Sequence, residues 1–233
     1  MSISTKDADV SLVIFDCDGV LIDSEIISAR MLVAELEKLG LPIDLDYVTR
    51  HFLGRSYPTV MQQIRTEFGI ALPPTFEDSY RENLLAAFRN ELRIMPHVRH
   101  VLENIGVPFC IATSSSPRRA AMSLDLVGLT GLVEGRVFTS TMVARGKPAP
   151  DIFLFAATKM GADPARTLVI EDSLTGIRAG LAAGMTVWRF VGASHLGPQT
   201  PEEPEDARPH SRLVTFESFF QIAPTLRKDR QIS

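Results

Sequence analysis

The sequence predicts an α/β fold: a parallel sheet with helices on both faces, and a small all-α insertion after the first strand. Three observations carry this. Leu12, Val13, Ile14 and Phe15 form an unbroken apolar run, the pattern of a strand covered on both faces. Residues 25–93 show helical spacing and no strand pattern. From Met95 onward strands and helices alternate, which builds a parallel sheet.

The elements follow in order. Ser24 is placed to cap a helix through Ile26, Met31, Leu32, Leu36 and Leu39, stopped by Gly40 and Pro42. Further helices are expected over 46–53, 58–68 and 75–92. After Met95 the pattern gives helix 97–105, strand 108–113, helix 117–127, strand 137–140 and helix 150–160. Strand 167–170, helix 175–183 and a final strand 185–190 complete the alternation. The proline-rich, acidic stretch 197–210 is expected to be an exposed loop. Residues 1–23 and 96–233 would form the α/β core domain, and 24–95 a helical domain joined by two linkers.

Bulk properties narrow the function classes. At 233 residues the chain can bury one large core, or one core plus a small domain. A net charge of −4 offers no basic excess for nucleic acid, although a small anion needs only a local positive site. No apolar run reaches the ~18–20 residues of a membrane span, and the first residues lack a signal peptide's apolar segment. Cys17 and Cys110 are too few for a disulfide framework. A cytoplasmic protein with reduced thiols is expected, monomeric or weakly self-associating.

Four clusters fall at expected strand ends. Asp16 and Asp18 follow the first strand; alternation sends both the same way, roughly 6–7 Å apart if extended. Carboxylates at the end of a buried strand are costly unless they hold a cation or do chemistry; a turn with two solvated acids is the plainer alternative. Thr113, Ser114 and Ser115 end another apolar strand, with Pro117 suited to the first turn of a helix. Such a junction can hold phosphate oxygens or simply cap the helix. Lys147 lies in GKPAPD, stiffened by Pro148 and Pro150; it could balance a phosphate or be a surface lysine. Glu171 and Asp172 end a third apolar strand and, as hard oxygen ligands, suit Mg²⁺; capping of the next helix by Asp172 or Ser173 is the alternative. Together the clusters would gather along one edge of one sheet, where open α/β folds keep their sites.

The ordered set DCDGVLIDSE, ATSS, GKPAPDIF and EDSLTGIRAGLAAGM resembles the haloacid dehalogenase superfamily, in the group with a helical cap inserted after the first motif. The likeness runs to about residue 195 and implies a Rossmann-like core. It implies Asp16 as nucleophile through an aspartyl-phosphate, and Asp18 as the acid and then base. Thr113 and Ser114 would hold the phosphoryl group and Lys147 would balance charge on it. Asp16, the Asp18 carbonyl, Glu171 and Asp172 would hold Mg²⁺.

Within the family, dehalogenases lack the second aspartate, which is present here. Phosphonate hydrolysis needs a lysine on the cap, and the first cap helix has only Lys38, near its far end. The β-phosphoglucomutase-like members place a histidine where this chain has Ser28, which favours phosphate release over transfer. A phosphatase acting on a small phosphorylated metabolite (a sugar phosphate, phosphogluconate or phosphoglycolate) is therefore expected. A phosphosugar mutase and a non-catalytic binder on the same fold are the alternatives. Gly54, Arg55 and Arg118 are the candidate substrate contacts, the two arginines being equally readable as solvated surface residues. His195 is expected to be structural or exposed, near the same edge.

Overall fold

The structure, a computed structural model, describes residues 9–52, 55, 57–196 and 202–229. The order is β1 (Leu12–Phe15), α1 (Glu25–Glu37), α2 (Leu45–His51), α3 (Tyr57–Phe68), α4 (Phe76–Glu91), α5 (Val98–Asn104) and β2 (Phe109–Thr113). Next come α6 (Pro117–Leu126), α7 (Thr130–Val133), β3 (Val137–Thr139), α8 (Asp151–Lys159), β4 (Thr167–Glu171) and α9 (Leu174–Ala182). β5 (Thr186–Phe190), β6 (Ser211–Leu213) and α10 (Phe219–Ile222) close the chain. Among the described residues the sheet has six strands in the order β3-β2-β1-β4-β5-β6, all paired in parallel. No described helix is long and apolar enough to cross a membrane.

Alternation within each strand explains the unbroken apolar runs. Val13, Phe15, Phe109, Ile111, Leu168, Ile170, Trp188 and Phe190 share one buried cluster. Leu12, Ile14, Cys110, Ala112, Val169 and Val187 belong to the other. Both sheet faces are thus covered, and each large side chain so buried contributes roughly 1.5–3 kcal/mol. Phe15 anchors the first cluster, in ring contact with Phe109, Phe216 and Phe219. Among the described residues, 25–93 contributes α1, α2, α3 and α4, with α1 packed along α4. Buried Glu35 of α1 ties them by accepting from Asn83 Nδ2 at 2.6 Å and Ser79 Oγ at 3.2 Å. The chain enters and leaves these helices through adjacent segments: Met95 N donates to Leu21 O, and Asp23 N to Arg93 O, each at 2.9 Å.

Two expectations are corrected. The last strand is β6, not the one ending at Phe190. The described part of 197–210 is also anchored rather than freely exposed. Arg189 is buried in β5 and needs a counter-charge. Glu203 supplies it, accepting from Arg189 Nη1 at 2.9 Å and from Arg212 of β6 at 2.6 Å, while Ala207 is fully buried. Burial would raise the Glu203 carboxyl, but the two arginines hold it down at about 2.

Candidate active site

β1 sits between β2 and β4, where the chain order reverses about the first strand. Side chains leaving its C-terminal end therefore enter the crevice of the sheet. Asp16 is the first of them, with its backbone N–H on the Ile170 carbonyl at 2.9 Å. Lys147 reaches the same point from the loop before α8. Its ammonium group donates to Asp16 Oδ1, to Glu171 Oε1 at 2.7 Å and to the Ala112 carbonyl at 3.0 Å. Three strand ends are thereby joined by one buried cation.

Both carboxylate oxygens of Glu171 accept from protein donors. Oε1 accepts from Lys147, and Oε2 accepts from the Ser173 N–H and hydroxyl, each at 2.9 Å. Ser173 also caps α9, its oxygen accepting from Gly176 N at 3.1 Å. Gly176 is what lets this carboxylate fold in: a Cβ there would stand 1.7 Å from Glu171 Oε1. Asp172 points instead toward Gly19 and His195, with His195 Nε2 3.1 Å from its Oδ2. Gly19 has φ +79°, and a Cβ on it would lie 2.1 Å from Asp172 Oδ2, so backbone shape and close approach both require glycine. The His195 side chain is buried on the site's own edge, and its Nδ1 has no partner among the described residues. Burial lowers its pKa despite the nearby acids Glu25 and Asp23.

Asp18 has a separate set of partners. Oδ1 accepts from Ser24 Oγ and from an Arg119 nitrogen, both at 2.7 Å; Oδ2 accepts from Ser115 Oγ at 2.6 Å and Thr113 Oγ1 at 3.4 Å. Ser24 is thus not a side-chain helix cap, since its hydroxyl is spent on Asp18. Arg119 also donates to Ser28 Oγ of α1 at 3.1 Å and lies 5.4 Å from the Phe88 ring centre of α4. One residue of α6 therefore bonds both the second aspartate and the helical insertion. Its neighbour Arg118, the expected contact, lines the cavity rim and pairs with Glu82 of α4 at 2.8 Å, both side chains largely exposed. Arg55 is exposed and bonds Gln63 Oε1 at 2.8 Å; Gly54 lies outside the described residues.

The electrostatics divide the two aspartates. Burial pushes Asp16 well above the usual carboxylate range, against the pull of Lys147. Burial would raise Asp18 too, but Arg119 and the hydrogen bonds from Ser115 and Ser24 hold it below its ordinary value. Asp172 is raised by burial and by Glu171. Lys147 is held firmly protonated, because Asp16 and Glu171 outweigh its burial.

Asp16, Asp18, Thr113, Ser114, Lys147, Glu171 and Asp172 all line one cavity of about 460 Å³, within the ~300–1,000 Å³ typical of ligand sites. Its other walls come from α1, α2, α3, α4 and the first turn of α6. Sequence reasoning missed Ser115, Arg119, Tyr57 and Tyr80 as parts of it. Only Ser115 lay within a motif already singled out.

Residues 10–184 match the model of the haloacid dehalogenase-like hydrolases. The 6-phosphogluconate phosphatase of Escherichia coli is 27% identical over 222 residues, covering 95% of this chain and 96% of that protein. A conserved haloacid dehalogenase-like protein of Agrobacterium tumefaciens superposes with a TM-score of 0.80 at 33% identity, over 92% of this chain and 98% of the other. A HAD family hydrolase of Deinococcus radiodurans, solved with bound phosphate and sodium, gives 0.73 at 32% identity over 94% and 98%. With its sheet, its four strand-end clusters and a matched span of this length, the chain belongs to the haloacid dehalogenase-like hydrolases, among relatives named as phosphatases.

Proposed function

We propose that the protein is a Mg²⁺-dependent phosphatase that hydrolyses a small phosphorylated metabolite through an aspartyl-phosphate on Asp16. The observation that carries this is Lys147 on Asp16 Oδ1, within a cavity that also holds Thr113 and Ser114. Asp16, ionised once a divalent cation joins Lys147 in offsetting its burial, would attack phosphorus as the ester P–O bond breaks. Asp18 is held ionised in the free site, against its burial, by Arg119 and its hydroxyl partners. It must first take up a proton as the phosphoester binds, and then gives it to the leaving alcohol oxygen. Water then attacks the phosphoryl group, returning a proton to Asp18 and freeing Asp16 and inorganic phosphate. Thr113 and the Ser114 N–H orient the phosphoryl oxygens, and Lys147 offsets their charge. Residues 24–95 act as a cap that keeps bulk water from the intermediate.

The donor set fits a divalent cation. Five carboxylates (Asp16, Asp18, Glu25, Glu171 and Asp172) line the cavity, and among the described residues Lys147 and the part-exposed Arg119 are the cations paired with them, so the acids outnumber the cations. Asp16 and Asp172, assisted by the backbone carbonyl of Asp18, would hold the cation. Glu171, with both oxygens engaged, orients Lys147 instead. Mg²⁺ held there would neutralise charge between nucleophile and phosphoryl group.

The E. coli relative's name makes 6-phosphogluconate, with sugar phosphates and phosphoglycolate, the first substrates to try. Phosphate release from a phosphomonoester panel with Mg²⁺ should fall at least ~1,000-fold in Asp16→Asn and cease with a chelator. Turnover that survives Asp16→Asn would remove it as nucleophile. Conversion of a hexose 1-phosphate to the 6-phosphate without free phosphate would make the protein a mutase instead.

A further inference from the structure

Asp16 and Glu171 are paired with Lys147, and Asp18 with Arg119. Asp172 differs. Among the described residues its carboxylate pairs with no lysine or arginine, and its partner is the imidazole of His195, with Nε2 3.1 Å from Oδ2. We infer that His195 is a positioning residue for Asp172: its Nε2–H holds one carboxylate oxygen and so leaves the other to face the divalent cation. This rests on the cation reading above for what Asp172 faces.

The segment after β5 delivers that imidazole. Ser194 donates to Asp23 Oδ1 from its Oγ at 2.7 Å and from its N–H at 3.3 Å, which ties the segment to the chain leaving β1. Ala193 is buried, and its carbonyl accepts from the Leu196 N–H at 3.0 Å, closing a tight turn around His195. The imidazole is 6% exposed and packs beside Gly19. A Cβ on Gly19 would lie 3.1 Å from His195 Cε1 and 2.1 Å from Asp172 Oδ2, so a side chain there would disturb the pair. β5 also holds the Asp172 backbone: buried Arg189 donates from Nε to the Asp172 carbonyl at 3.1 Å. Main chain and side chain of Asp172 are thus both held by β5 and the residues just beyond it.

The chemistry of the donor suits this role. A buried carboxylate needs hydrogen-bond partners. A lysine or arginine would provide them, but would also cancel part of the charge that attracts a cation. One imidazole N–H orients Asp172 and adds no permanent charge. Removing the outer partner of a metal-binding group typically costs about 10–100-fold in metal affinity. The contact also sets the tautomer, since an unprotonated Nε2 would place two acceptors face to face. His195 Nδ1, with no partner among the described residues, does not compete for that proton.

The test reads cation binding directly. Mn²⁺ is titrated into the substrate-free full chain and followed by electron paramagnetic resonance, with Mg²⁺ as competitor. His195→Gln places an amide N–H near the position of Nε2 and should bind both ions within about 3-fold of wild type. His195→Asn, whose amide is too short to reach, and His195→Leu, which fills space without a donor, should weaken both by at least ~10-fold. The Mg²⁺ concentration that gives half-maximal phosphate release from an aryl phosphate should rise in the same order. Thermal midpoints taken without metal show which variants fold, and the contrast of Gln with Asn carries the test should His195→Leu not fold. Wild-type affinity in the Asn and Leu variants, or an equal loss in all three, overturns the assignment. Wild-type protein that binds neither ion would defeat the cation reading itself, and with it any role of His195 toward a cation.

Discussion

At the sheet edge, Lys147 meets Asp16, Glu171 and a backbone carbonyl, and Glu171 spends both oxygens on protein donors. Toward the insertion, the same cavity is walled by leucines, valines and stacked tyrosines. The two halves differ because they do different work. Charge at the edge must be fixed before the reaction, since reorganising it during the reaction would raise the barrier. The insertion needs only shape and a few donors to choose what is attached to the phosphate.

Substitutions at the edge should therefore damage fold and turnover together, and those outside it should not. Lys147→Ala leaves Asp16 and Glu171 buried without their cation, which costs roughly 3–5 kcal/mol. A large fall in thermal midpoint and loss of phosphate release are expected; unchanged stability would mean that the buried cluster is not held by this lysine. Gly176→Ala forces the Glu171 carboxylate aside, an overpacking penalty of about 1–3 kcal/mol, with turnover reduced through a displaced Lys147. Wild-type turnover in that variant would show that Glu171 has room to spare.

Arg119 belongs to both halves. Arg119→Ala should lower kcat by about 10–100-fold by removing the charge-assisted bond to Asp18, with a smaller stability loss than Lys147→Ala. If KM alone changed, Arg119 would serve binding and not Asp18. Arg118→Ala marks the small end of the scale. Its exposed pair with Glu82 is worth under ~1 kcal/mol, so denaturation midpoint and kcat should stay close to wild type. A large loss would reveal that this ion pair holds the insertion closed.

Much of the edge was legible in the chain. Strands that are apolar throughout announced both buried faces, and the chain order set Asp16 and Asp172 at strand ends with Lys147 in a stiff loop between them. The choice between Arg118 and Arg119 was not. Neighbours on a helix point ~100° apart, and only the packing of α6 against Ser28 and Phe88 turns Arg119 inward. β6 was missed because three residues are too short for a periodic signal. It is held by the buried Arg189, whose need for Glu203 also draws in a proline-rich loop.

Local pattern thus determined the sheet, the helical insertion and the strand-end groups, because hydrophobic period and chain breaks act over a few residues. Tertiary structure decided how those groups divide their bonds: Ser24 to Asp18 instead of to its own helix, Glu171 to Lys147 instead of outward, Asp172 against Gly19 and His195. These outcomes depend on burial and on partners distant in sequence, where each carboxylate takes whichever donor the fold brings within reach. The character of the chamber was decided in the same way, since it emerges only when α1, α2, α3 and α4 turn their apolar faces to one cavity.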